Sequence, residues 1–299
     1  MDQKSTFRSG FIAIIGRPNV GKSTLLNGLL GEKLAIVSDK PQTTRNRIMG
    51  IITGKEYQAV FLDTPGIHQP HNRLGEYMMQ TVRDSLQGID ALVLVVDASK
   101  AGDMEHKLAE EMSKQPVYKI LVLNKIDLVP KAKLLSVIQS FSQAAYDEIV
   151  PISALTGDGT ELLKSVLVKA LPEGPRYFPD DALTDQPERF ICAEMIREKA
   201  LHLLKDEVPH GIGIEVLGVE RVSEKLTEIN ATIYCERASH KGIIIGRQGT
   251  MLRQIGSEAR QDIEKLLNTH VHLQLWVKVR PNWRNQPADL KTLGYTDRE

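Results

Sequence analysis

Apolar residues in the first 170 positions fall in short continuous runs, at 11–15, 57–62, 91–96, 119–123 and 148–152. Between them, apolar and polar positions recur at helical spacing. Short runs rich in Ile, Val and Leu predict strands buried on both faces. Helical segments between such strands imply right-handed crossovers and a mainly parallel sheet with helices on both faces. The last periodic stretch, 161–170, predicts the helix that closes this part of the chain. Four of the five runs end at or beside a polar residue: Asp63, Asp97, Asn124 and Ser153. Ligands of parallel sheets bind at the carboxyl ends of strands, where these groups fall.

The pattern then changes. Pro172, Pro175, Pro179 and Pro187, with Asp180 and Asp181, mark a stiff linker. Beyond it, 190–205 has helical period, and 215–220 and 227–236 alternate like the strands of a hairpin. A glycine-bearing helical region at 241–268 and a final strand at 270–279 follow. The order α-β-β-α-α-β predicts a second, smaller α+β domain. The expected division is 1–172 for the α/β domain, 173–189 for the linker, 190–285 for the α+β domain and 286–299 for a tail.

With 299 residues, each domain has room for its own core. Lys and Arg number 38 and so do Asp and Glu, so any case for a nucleic-acid or membrane partner must be local. Cys192 and Cys235 are isolated, without metal-ligand spacing, and read as buried thiols of a reduced compartment. No secretory signal opens the chain, and no apolar run approaches the roughly 20 residues that span a bilayer. A cytoplasmic protein is expected.

The first chemical signal is Gly16-Arg17-Pro18-Asn19-Val20-Gly21-Lys22-Ser23, between the run at 11–15 and a helical stretch beginning at Thr24. Strand, glycine-rich loop and helix make the context of a phosphate-binding loop. Its N–H groups curl around a β-phosphate at the positive end of the helix. Lys22 reaches the β- and γ-phosphates, and the Ser23 hydroxyl is placed for Mg²⁺. Asp63-Thr64-Pro65-Gly66 follows the next strand. There Asp63 would hold Mg²⁺ through water, and the Gly66 N–H would face the γ-phosphate.

Asn124-Lys125-Ile126-Asp127 selects the base. Asp127 can accept from N1–H and N2–H₂ of guanine, whereas adenine offers neither donor there. A site built on such pairing discriminates by roughly 10⁴–10⁵-fold. Lys125 would lie along the ring, Asn124 would tie this loop to the phosphate loop, and Ser153-Ala154-Leu155 would supply N–H for guanine O6. The expected ligands are thus GTP and GDP with Mg²⁺. In the polar segment 41–47, Thr44 is the expected hydroxyl that senses Mg²⁺ and γ-phosphate, with Thr43 as the alternative. His68 and His71 read as solvated residues, since phosphoryl transfer depends on positioning and charge more than on a base.

The second signal lies at 240–255. A tight turn Gly246-Arg247-Gln248-Gly249 joins two short apolar helices, with Lys241, Gly242 and Arg253 beside it. From Arg237 to Arg253 there are four Lys or Arg and no Asp or Glu, a basic face hidden in the neutral total. Glycines at both corners let a sugar-phosphate backbone approach, with Arg247 and nearby N–H groups meeting phosphates. In its α-β-β-α-α-β setting this resembles a KH domain of the second topological type, which implies RNA binding. Trp276 alternates on the last strand, so packing and base stacking stand equal. Trp283 is placed to meet RNA or the other domain.

Together GRPNVGKS, PQTTR, DTPGI and NKID resemble the translation-factor-related GTPases, most closely the Era group, and the likeness extends through linker and KH half. It implies a P-loop GTPase domain followed by a type II KH domain. It also implies a role in maturation of the small (30S) ribosomal subunit, with the KH domain reading the 3′ end of the small-subunit rRNA. Peripheral contact with the inner membrane is implied as well, and nothing in the sequence suggests a dimer. Small regulatory GTPases carry a water-orienting Gln where this chain has Ile67, so slow intrinsic hydrolysis is expected. Lys22, Thr44, Gly66 and Asn19 are the expected catalytic residues. By the resemblance, Asn19 holds a K⁺ ion in the place of an arginine finger; the alternative is that Asn19 only shapes the loop. A switch that alters RNA availability leads, ahead of an RNA-binding assembly factor whose GTP hydrolysis times release. A metabolic P-loop kinase is excluded by Asn124–Asp127.

Overall fold

The apolar runs become strands of a single six-stranded sheet, in a computed structural model that describes residues 7–295. In chain order they are β1 (Arg8–Ile15), β2 (Ile48–Thr53), β3 (Tyr57–Asp63), β4 (Ala91–Asp97), β5 (Tyr118–Asn124) and β6 (Glu148–Pro151). Their spatial order is β2-β3-β1-β4-β5-β6. Only β2 runs antiparallel, paired with β3. β4 is buried at every position, which explains a continuous apolar run without alternation. The helices are α1 (Lys22–Leu30), α2 (Arg73–Asp84), α3 (Asp103–Met112), α4 (Lys131–Ser140) and α5 (Thr160–Ala170). Winding reverses at β1: the chain goes first to β3 on one side, then to β4 on the other. With right-handed crossovers this places helices on both faces and opens a crevice at the strands' carboxyl ends. The register sets Asp97 beside Asn124 at that edge.

Two compact units divide the chain. The first comprises the chain up to Ala35, Thr44–His68 and Met78–Asp185; the second comprises Ile36–Thr43, Gln69–Tyr77 and the chain from Gln186 onward. Residues 173–185 of the proline-rich stretch are fastened to the first unit. Glu173 bridges Arg8, Ser9 Oγ donates to Pro175 O at 2.6 Å, and the Gln58 amide bonds the backbone of Tyr177 and Phe178. Ile51 N–H and the Thr184 hydroxyl add further ties at β2.

The second unit has a three-stranded sheet in the order β7-β8-β9: β7 (Gly213–Ser223), β8 (Leu226–Cys235) and β9 (His270–Val279). β7 and β8 form the expected hairpin, and β9 lies parallel to β8. α6 (Glu188–Leu203) packs on α8 (Thr250–Leu267) and on β7. Ile255, Ala259 and Ile263, one face of α8, are fully buried along with Ile229, Ala231 and Ile233 of β8. Segment Ile36–Thr43 belongs to this unit through its polar bonds to α6. Val37 N–H donates to Glu198 Oε1 at 2.9 Å, and the Lys40 ammonium donates to the carbonyls of Leu201 and Leu204. The fully buried Arg197, paired with Glu194 at 2.5 Å, donates to the carbonyls of Gln42 and Thr43.

α7 (Ala238–Ile245) and α9 (Pro287–Thr292) complete the second unit. Its tryptophans depart from expectation. Trp283 is fully buried, donates from Nε1 to Gly211 O at 2.9 Å and stacks near Tyr295, so it is a core residue and not an RNA-facing one. Trp276 lies on the opposite face of β9 from Val271 and Val277 and is exposed. Trp283→Ala is therefore expected to cost about 3–5 kcal/mol, against less than about 1 kcal/mol for Trp276→Ala. Urea unfolding of the full chain, followed by the transition of the second unit, checks this.

Candidate functional site

The loop from Gly16 to Ser23 leaves β1 and enters α1. Gly21 has φ 98°, and a Cβ there would sit 2.2 Å from Asn124 Nδ2, so neither the conformation nor the space admits another residue. Two carbonyls of the loop are held from outside. Asn124 Nδ2 donates to Val20 O at 2.8 Å, and Lys125 Nζ donates to Asn19 O at 2.7 Å. All described peptides are trans, so fixing these carbonyls turns the N–H groups of Gly21 and Val20 the other way. Lys22 is buried, with Nζ 3.2 Å from Gly16 O and 3.1 Å from Arg17 O. The Arg17 guanidinium reaches away to Glu105 at 2.5 Å. Pro18 and Thr24 complete the loop and the first turn of α1.

Ser23, Thr44 and Asp63 converge beside Lys22. Ser23 Oγ donates to Asp63 Oδ2 at 2.7 Å and lies 2.9 Å from Thr44 Oγ1, which is 3.5 Å from the same oxygen. Thr43 is elsewhere: its hydroxyl donates to Lys40 O at 2.6 Å, within the second unit. Burial pushes the Asp63 carboxyl up to about 6, although the Lys22 charge and bonds from Ser23 and Thr44 pull it down. Burial pushes the Lys22 ammonium down to about 8, against the pull of Asp63. Asp63 Oδ1 is buried with no hydrogen-bond partner. An orphan carboxylate oxygen beside two hydroxyls is the donor set of a hard cation, so these residues fit Mg²⁺.

Thr64, Pro65 and Gly66 are buried after β3, with Thr64 Oγ1 on Ile14 O at 2.9 Å. The next peptide is held at both ends: Ile67 N–H donates to Gly16 O at 3.0 Å, and Gly66 O is 2.8 Å from His68 Nδ1. His68 is half-buried, with Nε2 covered, whereas His71 is exposed. At the base-side loops, Asp127 is exposed and Leu155 is 80% exposed. Asn124 Oδ1 accepts from Ala154 N–H at 2.9 Å, and Ser153 N–H donates to Asp158 O. Of the N–H groups expected to meet guanine O6, those of Ser153 and Ala154 thus already have protein partners.

In the second unit, the turn after α7 has the backbone its glycines require. Gly246 has φ 73°, and a Cβ there would meet Met251 N at 2.8 Å. Arg247, Gln248, Gly242 and Arg253 are exposed, with Lys241 and Gly249 half-buried. A cavity of about 380 Å³ starts at Gly249 and runs between α8 and β9, lined by Leu252, Gly256, Arg260, Leu273 and Leu275 among others. Sequence reasoning missed these lining residues. Their signal was the helical spacing of 249, 252, 256 and 260 continuing from the glycine turn, and the two-residue spacing of 273 and 275.

Residues 11–125 match the family model described as 50S ribosome-binding GTPase, and residues 207–284 match the KH domain model. The chain is 52% identical over 294 residues to GTPase Era of Ruminiclostridium cellulolyticum, covering 97% of this chain and 98% of that one. It is 51% identical over 296 residues to GTPase Era of Clostridioides difficile, covering 98% and 100%. Among solved structures, it is similar to Era in complex with MgGDPNP and nucleotides 1506-1542 of 16S ribosomal RNA. The TM-score there is 0.93 at 39% identity, over 97% of this chain and 99% of that one. A variant of Aquifex aeolicus Era bound to GDP.AlF4- matches with the same score and identity, over 97% and 100%.

The raised Asp63 carboxyl fixes a pH dependence. Its folded value, about 6, lies above the ordinary 3.8, so protonation stabilises the metal-free fold below about 3.8 and that contribution is lost as pH rises through 6. A cation competes with that proton. Apparent Mg²⁺ affinity in the presence of GDP should hold between pH 7 and 8 and fall about tenfold per unit below pH 6. Magnesium titrations at pH 5 and 7.5 check this.

Proposed function

The chain belongs to the Era family of GTPases, and on that footing we propose that it is a GTP-hydrolysing switch that binds RNA through its KH domain. Its RNA is the 3′ end of the small-subunit 16S-type rRNA, and its setting is assembly of the 30S subunit. One observation carries the nucleotide half: four motifs far apart in sequence meet at the carboxyl edge of one sheet, around a buried lysine, a buried aspartate and two hydroxyls.

In this reading the N–H groups of the loop 16–23, with Val20 and Gly21 turned inward, cradle the β-phosphate, and Lys22 neutralises β- and γ-oxygens. Ser23, Thr44 and Asp63 hold Mg²⁺, which when bound supplies positive charge against the phosphate oxygens. The Gly66 N–H meets the γ-phosphate, and Thr44, whose hydroxyl sits beside Ser23 and Asp63, senses γ-phosphate and metal and so distinguishes GTP from GDP. Asp127 accepts from the guanine edge, and Ala154 N–H passes from Asn124 to O6 when the base arrives. Ile67 cannot orient water by a hydrogen bond, so intrinsic hydrolysis is slow. In the second unit, Lys241, Arg247 and Arg253 meet phosphates around the Gly246–Gly249 turn, and the apolar floor between α8 and β9 receives unstacked bases. The functional division is a G domain at 1–172 and a KH domain at 190–285. The protein acts in the cytoplasm as a monomer. Any membrane contact is peripheral, as the family resemblance implies; no described helix is long and apolar enough to cross a bilayer.

Base choice is the sharpest test. Asp127→Asn should lower GTP affinity at least about a hundredfold and raise affinity for the xanthine nucleotide, measured by competition against a fluorescent guanine nucleotide. Unchanged preference for GTP would overturn the guanine assignment. For Asn19 the reading is that it helps hold K⁺ against the phosphates. GTP turnover should then be faster in KCl than in NaCl, with the preference lost in Asn19→Ala; equal rates in the two salts would remove the ion from the mechanism.

A further inference from the structure

The loop that cradles phosphate is held by a third group, beyond the motif residues. Lys125 stands between β5 and the 3-10 turn Ile126–Leu128 with φ 65°, a left-handed conformation that disfavours a residue bearing a Cβ. That conformation serves two bonds. Its ammonium lies 2.7 Å from Asn19 O in the phosphate loop and 2.8 Å from Asp97 Oδ2 at the end of β4. Asp97 is buried, and its other oxygen is already committed, accepting from Ser99 N–H at 3.0 Å and Ser99 Oγ at 2.6 Å. The carboxylate is thus fixed on one side and offers Oδ2 to Lys125 alone among the described contacts. Burial alone would raise the Asp97 carboxyl, yet the hydrogen bonds from Lys125 and Ser99 and the Lys125 charge together hold it below the usual range.

The chain of contacts ends in the cradle. Asn19 itself has a left-handed backbone, φ 62°, and its peptide to Val20 turns on where its carbonyl is held. Lys125 and Asn124 thus hold neighbouring carbonyls of the loop, those of Asn19 and Val20. We propose that Asp97 is a positioning residue for nucleotide binding: it fixes Lys125 so that Lys125 holds the Asn19 carbonyl outward and the Val20 N–H inward, toward the β-phosphate. Asp97 touches no phosphate and acts only through Lys125. This rests on the nucleotide site proposed above.

The test is release of fluorescent GDP and fluorescent GMP from the full-length protein. Asp97→Asn removes the charge that holds Lys125 but keeps a side-chain oxygen to accept from Ser99 N–H, and Asp97→Ser does the same with a shorter side chain. Both should release GDP about ten- to a hundredfold faster than wild type. GMP lacks the β-phosphate but keeps the base along which Lys125 lies, so its release should be accelerated markedly less than that of GDP. Because the effect passes through Lys125, Asp97→Asn combined with Lys125→Met should release GDP no faster than Lys125→Met alone. Wild-type GDP release in both Asp97 variants, equal acceleration of GDP and GMP, or multiplicative effects in the double variant would each overturn the positioning role. A wild-type protein that bound no GDP would instead overturn the nucleotide site itself, so the two failures are distinct.

Discussion

Two opposite charges, Lys22 and Asp63, are buried together at the carboxyl edge of the first sheet, and the local structure around them follows from that burial. Removing an ammonium and a carboxylate from water costs several kcal/mol each unless partners replace the lost hydration. The partners are supplied with little to spare: two loop carbonyls for Lys22, two hydroxyls for one oxygen of Asp63, and none for the other. Burial displaces the acid–base values of both groups, Lys22 down to about 8 and Asp63 up to about 6. A triphosphate and a divalent cation are what complete such a cradle, one by answering the ammonium and the N–H groups, the other by answering the orphan oxygen. The same arrangement explains why the loops around it are held so firmly from outside. With Gly21 pressed against Asn124 and the Val20 and Asn19 carbonyls tied to the base-side loop, the protein's own contacts shape the phosphate loop.

The second unit solves a different problem. Its turn at Gly246–Gly249 must bring backbone close to a polyanion without a side chain in the way, and the Gly246 conformation and its contact with Met251 leave room for no Cβ. Beside it, α8 turns one face to the core and another to the cavity, so the helix that stabilises the unit also walls its binding surface. On the proposed RNA reading, apolar contact with Leu252, Leu273 and Leu275 would be sequence-tolerant, and contact with Arg253 and Arg260 would be salt-dependent.

Much of this was readable along the chain because the signals are local. Continuous apolar runs mark strands covered on both faces, and β1, β3, β4 and β5 sit where those runs predict. The nucleotide motifs are local as well, each a loop directly following its strand. What the sequence did not yield is long-range or lies on irregular backbone. β2 is an edge strand with Gly50 in its middle, so its apolar run is short and interrupted. Trp283 sits in an irregular basic stretch that gives no sign of burial; its environment comes from Gly211, far away in sequence. Trp276 could have been placed outward, since Val271 and Val277 share the other phase of the same strand. The prolines after 172 suggested a stiff linker, but Gln58 and Ser9 bind that segment from strands more than a hundred residues earlier. The Asp97–Lys125–Asn19 chain joins three loops that no local pattern connects.

A nucleotide can change RNA binding only to the extent that the RNA-competent state binds one nucleotide more tightly than the other. On the switch proposed above, the GTP state is the RNA-competent one. Anisotropy titration of a labelled RNA matching the 3′ end of the small-subunit rRNA, with a non-hydrolysable GTP analogue and again with GDP, tests this most directly. Tighter binding with the analogue, lost when Thr44 is changed to Ala, is the predicted result. Equal affinity in the two nucleotide states would contradict the switch and leave the KH domain as a constant tether.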